Sequence, residues 1–217
     1  MSRRSVKSVG SGIDLSGLLY SYSELPFPFD VVQLFGRAAP VELEIGSGKG
    51  LFLRRVSDEF IDRDFIGVEV SLKYARFAAS RLIKNSSGNV KIVCCDAAKL
   101  LSEWAPDNFF SAVHVYFPDP WWKRSHRKRR ILREEVVKLI ERRLAPDGIL
   151  YFRTDVEEYF NSTLELIANC AKLLKVFDVE VSSELPENDV DYNTHFERRT
   201  ILNGDKVFRA KFKKEVK

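Results

Sequence analysis

From residue 41 onward, short apolar runs alternate with segments whose apolar residues recur at helical spacing. VELEI (41–45) reads as a strand, followed by a glycine-rich turn and the helical LFLRRVSDEF. DFIGVEV (64–70) is a second strand, and SLKYARFAASRLIKN a helix with Ser71 placed to cap it. The strand VKIVCCD (90–96) leads into the short helix AAKLLSEW. FSAVHVYF (110–117) leads into a Pro- and Trp-containing loop and then the helix RRILREEVVKLIERRL. After the turn Pro146-Asp147-Gly148 come the strand ILYFRTD and the helix VEEYFNSTLELIANCAKLL. Five such alternations predict an α/β, Rossmann-like sheet, mostly parallel, with helices on both faces. VFDVEVSSE and KVFRAKFKK alternate at period two across a polar loop containing THFERR, and are expected to pair antiparallel at the C-terminal edge. Residues 1–40 carry weak signals and are expected to form an irregular extension to a domain spanning 41–217.

Composition narrows the class. The chain has 217 residues, 45% hydrophobic and 30% charged, enough to bury a substantial core. No apolar run reaches the ~20 residues of a membrane helix, and the basic N-terminus lacks the apolar stretch of a secretory signal. Three cysteines (Cys94, Cys95, Cys170) suit neither a disulfide framework nor a zinc site, so a cytoplasmic protein without metal is expected. The net charge of +4 is local. Between Lys123 and Arg133 stand seven Lys/Arg and no acid; without them the balance is 28 − 31, or −3. A local cationic patch on a mildly acidic chain implies a local anionic partner.

Gly46, Gly48 and Gly50 occupy the first strand-to-helix turn as G-x-G-x-G, with Leu51 where the dinucleotide fingerprint needs its third glycine. Glu44 beside that turn suits a cationic ligand such as S-adenosylmethionine better than a diphosphate. Glu69 ends the second strand, where nucleotide-binding sheets place an acid for ribose hydroxyls. Asp96 ends the third strand, placed to accept from an adenine amine, to cap the helix at 97, or both. Asp119 and Asp155 end the fourth and fifth. Acids thus gather at the carboxyl edge of the sheet, where open α/β folds bind ligands.

In YFPDPWWKRSHRKRR (116–130), prolines flank Asp119, Trp121 and Trp122 offer stacking faces, and the cations that follow can neutralise phosphates, so the loop points to nucleic acid. His114 reads as core and His126 as a member of the cationic loop. The cysteines show no paired base that would make a nucleophile. An RNA-binding protein without turnover and a small-molecule methyltransferase remain as alternatives; an NAD-dependent oxidoreductase is disfavoured by the missing glycine.

With these residues in view, LEIGSGKG, GVEV, CDA, FPDPWWKRSHRKRR, RTDVEEY and THFE, in that order, resemble the bacterial tRNA (guanine-N7)-methyltransferase family (TrmB) from about Val41 to the C-terminus. The resemblance implies a class I methyltransferase fold binding S-adenosylmethionine through Glu44, Gly46, Gly48, Gly50, Glu69, Asp96, Ala97 and Asp119. It implies that Asp119 is catalytic and that Lys123, Asp155 and Thr194, His195, Phe196 and Glu197 bind the substrate. Ser125, His126, Arg127, Lys128, Arg129 and Arg130 would contact tRNA, and the product would be 7-methylguanosine at position 46 in the tRNA variable loop. A monomer or homodimer with no obligate partner subunit is expected. Three positions depart from the family pattern: Trp122 for Pro, Ser125 for Arg and His195 for Lys. None removes a carboxylate.

Overall fold

The computed structural model describes Val6 and residues 12–83, 88–183 and 195–216; the side chains of Arg124, His195, Phe196, Arg198 and Arg199 lie outside that description. The chain divides into two compact units, Met1–Trp104 and Ala105–Lys217.

The first strand lies in the stretch expected to be irregular. Leu19–Ser21 (β1) pairs parallel with Val90–Cys94 (β4), Leu19 opposite Ile92 and Ser21 opposite Cys94. Three residues are too few to display an alternation, so only the pairing with β4 defines them. A capping box follows, in which the Glu24 carboxylate accepts from the Ser21 amide at 2.6 Å. Val31–Phe35 (α1) starts at Asp30, whose side chain accepts from the Gln33 amide, and ends at Gly36. Between them, LPFPF is held by Trp104, whose indole N–H donates to the Pro26 carbonyl at 2.9 Å.

Val41–Ile45 (β2) and Asp64–Val68 (β3) complete a parallel order β1-β4-β3-β2 within this unit. Every residue of β2 and β3 is buried, as parallel strands covered on both faces require. Leu51–Glu59 (α2) buries Phe52, Leu53 and Val56, and Leu72–Leu82 (α3) buries Ala75, Ala78, Ala79 and Leu82. The alanines let α3 approach the glycine turn closely. A Cβ at Gly50 would stand 2.7 Å from the Ala78 Cβ, and Gly50 has φ +66°. Gly50→Ala is therefore expected to destabilise the protein by about 2 kcal/mol or more, read as a lowered denaturant midpoint. After β4, Ala97–Lys99 (α4) continues as a π-helical turn over Leu100–Trp104.

In the second unit, Phe110–Tyr116 (β5) and Leu144–Thr154 (β6) are parallel. Val207–Lys214 (β8) pairs antiparallel with β6, and Leu174–Ser182 (β7) antiparallel with β8, giving the order β5-β6-β8-β7. The antiparallel edge predicted from the two alternating segments is present. The Pro146-Asp147-Gly148 turn forms an irregularity inside β6, where the register steps from Phe110 opposite Leu144 to Ala112 opposite Ile149. Glu134–Arg143 (α5) and Glu157–Cys170 (α6) supply the apolar cover, with Phe152 of β6 stacked on Phe160 of α6 at 6.0 Å. THFERR, expected within a loop, lies partly in a helix, His195–Leu202 (α7). Among its described side chains, the buried Glu197, Thr200 and Ile201 recur at helical spacing, but two of these three are polar, which hid the pattern.

Candidate functional site

In the first unit the glycine turn is fixed by the end of β3. The amides of Gly46 and Ser47 both donate to the Val68 carbonyl, at 2.8 and 3.0 Å. The Gly48 amide donates to Glu69 Oε2 at 2.9 Å, and the Ser71 amide to Glu69 Oε1 at 2.9 Å. Buried Glu69 therefore latches the turn and the start of α3 together. Ser71, predicted to cap α3 through its own side chain, makes no such bond; the acid two residues earlier takes its amide instead. The Gly48 amide, one a phosphate would use in such a turn, is already engaged by a carboxylate, which favours a cationic ligand over a diphosphate.

Glu44 lies beside this turn, 4% exposed, with Oε2 buried and without a hydrogen-bond partner. Burial, with the Glu69 carboxylate nearby, pushes its pKa up to about 8. An orphaned buried carboxylate oxygen is costly unless a donor arrives, and a ligand ammonium supplies one. On that ground the residues fit the amino acid end of S-adenosylmethionine. Asp96 is exposed past β4; its Oδ1 accepts from the amides of Ala98 at 2.8 Å and Lys99 at 3.2 Å, the capping role expected, and Ala97 beside it is buried. The parallel strands carry Glu44, Glu69 and Asp96 to one edge of this unit. Tyr22 follows β1 at that same edge; its hydroxyl donates to Glu103 at 3.1 Å and Lys99 Nζ sits 4.3 Å from its ring centre. Burial, with Asp96 close by, raises the Cys95 thiol to about 12, so it is inert at neutral pH.

In the second unit Asp119 and Asp155 follow the parallel strands β5 and β6, both exposed and at the same edge. Asp119 is bracketed by two aromatic residues in the left-handed region, Phe117 at φ +46° and Trp121 at φ +47°. Such conformations persist only where the surroundings enforce them. Here the Phe117 amide donates to the Arg153 carbonyl at 2.8 Å, and the Pro120 carbonyl accepts from Arg130 Nε at 2.8 Å. The chain is thus pinned on both sides of an exposed carboxylate.

The cations divide into two kinds. Arg130, expected at the RNA surface, is 6% exposed: its guanidinium reaches Glu158 and Ser162 and lies 4.3 Å from the Tyr159 ring centre. It builds the loop rather than facing solvent. Lys123, Ser125, Arg127, Lys128 and Arg129 are exposed, with Arg127 paired to Glu158 at 3.1 Å and Arg129 over the Trp121 ring at 5.1 Å. His126 sits edge-on to Trp121, whereas Trp122 is 65% exposed and open for stacking. His114 is buried as predicted, its Nδ1 2.7 Å from the Tyr116 hydroxyl and its ring stacked on Tyr151. Glu197, expected to bind substrate, is fully buried, with one oxygen on Arg153 at 3.0 Å and the other on Arg209 at 2.8 Å. Thr194 lies outside the described residues, as do the side chains of His195 and Phe196. Among the described residues, no cluster of three or more His, Cys, Asp or Glu could hold a metal, and no helix is long and apolar enough to cross a membrane.

Residues 38–210 match a family model described as "Putative methyltransferase". A tRNA (guanine-N(7)-)-methyltransferase of Rhodopirellula baltica is 40% identical over 99% of this chain and 80% of its own length. The chain belongs to the tRNA (guanine-N7)-methyltransferase family. A relative of the same name from Pseudomonas putida is 34% identical over 94% of this chain and 84% of its own. Among solved structures, an antibiotic-related methyltransferase aligns with a TM-score of 0.62 at 16% identity, covering 86% of this chain and 92% of that one. The precorrin-6y C5,15-methyltransferase of Geobacter metallireducens aligns at 0.56 and 16% identity, over 82% of each chain. These similarities at low identity establish the class I methyltransferase fold, and family membership accounts for the cradle and the basic loop in one chain.

Proposed function

We propose that this chain transfers a methyl group from S-adenosylmethionine to N7 of a guanine in tRNA, at position 46 in the variable loop, forming 7-methylguanosine. The observation that carries this reading is the buried Glu44 oxygen without a partner, beside a turn whose amide Glu69 already engages. That cradle is built for a cation, and an exposed basic loop in the same chain suits a polyanion. When bound, S-adenosylmethionine supplies an electrophilic methyl on a sulfonium. Glu44 receives its ammonium, Glu69 its ribose hydroxyls, and Asp96 with Ala97 its adenine.

Guanine N7 carries a lone pair and no proton, so attack on the methyl needs no general base. As the N7–carbon bond formed, the sulfur–methyl bond would break with its electron pair returning to sulfur, so that positive charge moves from the sulfonium to the guanine and neutral S-adenosylhomocysteine leaves. Asp119, held beside the ring, stabilises that charge as it arrives. Asp155 accepts from N1–H and the exocyclic amine, selecting guanine over adenine, and Lys123 contacts the substrate. Trp122, Arg127, Lys128 and Arg129 engage bases and phosphates around it. Lys128→Ala and Arg129→Ala are each expected to lower the slope of log affinity against log salt by roughly 0.7–0.9. Arg130→Ala should leave that slope unchanged and lower the melting temperature instead.

Transfer of labelled methyl to bulk unmodified tRNA, followed by nucleoside analysis, tests the reading. 7-Methylguanosine in the digest supports it. Cofactor and tRNA binding without transfer would favour an RNA-binding protein that has lost turnover.

A further inference from the structure

We infer that β7 is the contact surface of a symmetric homodimer, pairing antiparallel with β7 of a second copy so that the sheet of the second unit continues across a two-fold axis. β7 ends the order β5-β6-β8-β7, and its outer side pairs with no strand among the described residues. Four apolar side chains lie exposed within residues 176–181: Val176 at 51%, Phe177 at 54%, Val179 at 49% and Val181 at 50%. Single exposed apolar residues are ordinary, but a row of them on a nine-residue edge strand invites another strand. The row belongs to the core layer. Val176, Val179 and Val181 stand opposite Phe212, Ala210 and Phe208 of β8, all buried, and Phe208 packs against Phe160 of α6 at 5.5 Å. The apolar face of the sheet thus runs on into solvent at β7.

The strand is its own complement, and an irregularity in it makes it so. Pairing with β8 steps from Val176 opposite Phe212 to Asp178 opposite Lys211, leaving Phe177 as the extra residue of a bulge. The step shifts the two-residue alternation by one, so Val176 and Val179 share the apolar face while Lys175 and Glu180 share the other. A two-fold axis normal to the sheet, between Phe177 and Asp178, then sets Val176 against Val179 of the second copy and Lys175 against its Glu180. Each contact forms twice. Lys175 is exposed and makes no ion pair among the described residues. The Glu180 side chain is 58% exposed and meets Arg209 through Oε1 at 2.9 Å, so its second oxygen can take an incoming ammonium. The other charges on that face are engaged within the chain, Asp178 by Lys211 at 2.7 Å and Lys213 by Asp147 at 2.8 Å. Sliding the pairing by one residue would put Val176 against Glu180 and break both matches. Without the bulge, the register that matches the charges would set apolar faces against polar ones.

A seam of one strand per copy falls at the small end of protein interfaces, so a reversible dimer with a Kd of roughly 10 µM is expected. Sedimentation equilibrium of the full chain, without cofactor or tRNA, should show the mass doubling between about 1 and 200 µM. Lys175→Glu and Glu180→Lys each bring like charges together twice, and each should weaken association at least about tenfold. Mixed in equal amounts, the two variants bring only opposite charges together and should associate again about as tightly as wild type. Melting temperatures report folding, since Glu180→Lys also takes a partner from Arg209. If that variant does not fold, Val179→Lys, which sets an ammonium in the apolar half of the seam, should likewise stay monomeric. A wild type that remains monomeric to about 200 µM overturns the inference and leaves the edge to a strand of another protein. Dimers that survive Lys175→Glu and Val179→Lys lie on another surface and overturn it as well. So does a mass that climbs past two copies, which marks open-ended addition rather than a closed two-fold pair.

Discussion

Replacing Asp119 with Asn is expected to lower kcat about 10²–10³-fold while tRNA affinity stays within about twofold of wild type. The asymmetry follows from the loop. Asp119 is exposed, and the chain on either side of it is held by Phe117 on the Arg153 carbonyl and Pro120 on Arg130, so an isosteric amide is expected to keep the chain path. On the proposed mechanism, what changes is the charge facing the guanine as it becomes cationic. Because guanine N7 has no proton to remove, no compensating shift in the pH profile should accompany the loss. Single-turnover methyl transfer with saturating tRNA measures kcat directly, and filter binding measures affinity. An Asp119→Asn enzyme of wild-type rate would remove the carboxylate from the mechanism.

Cofactor binding should weaken as pH falls below about 8, by up to tenfold per unit, because the Glu44 proton competes with the cofactor ammonium. Folding of the ligand-free protein has the opposite pH dependence. A carboxyl raised from 4.5 to about 8 in the fold favours the native state below pH 4.5, and that contribution is lost as pH rises through 8. The ligand-free protein therefore gives up several kcal/mol across that interval, and the cofactor returns part of it by pairing with the ionised group. Glu44→Gln should flatten both dependences. It should bind S-adenosylmethionine roughly 10- to 10²-fold more weakly at pH 8.5 and yet melt higher than ligand-free wild type there. Calorimetric titration from pH 6 to 9 checks the first, thermal melts without cofactor the second. Affinity independent of pH in wild type would mean that Glu44 is ionised before the ligand arrives.

The parallel strands were legible because their residues are apolar almost without interruption, and the long helices because their apolar residues recur at helical spacing. Elements defined by partners were not. β1 has no pattern of its own, and α7 buries the polar Glu197 and Thr200. The same division runs through the site. Within each unit the strand-end acids could be placed from position alone, Glu44, Glu69 and Asp96 in the first and Asp119 and Asp155 in the second, since strand ends in a parallel sheet fall at one edge. Which charges turn inward could not. Arg130 and Arg129 are neighbours in one basic run, yet Arg130 is buried against Glu158 and Ser162 while Arg129 lies outside over Trp121. Likewise the neighbours of Glu197 in sequence give no sign of its ion pairs with Arg153 and Arg209, which are brought to it by β6 and β8.

The three-residue strand β1 also bears on solubility. The edge of a sheet displays unpaired amides and carbonyls on which another chain can add a strand, and long apolar edges invite aggregation. In the first unit the edge beside β4 would expose such a row next to Ile92 and Val93. β1 covers it, and is itself too short to template much. It gives way at once to a 3-10 turn and then to Pro26 and Pro28, which have no amide hydrogen to donate. The N-terminal segment thereby closes the sheet against its own kind, a protective role apart from anything it contributes at the carboxyl edge.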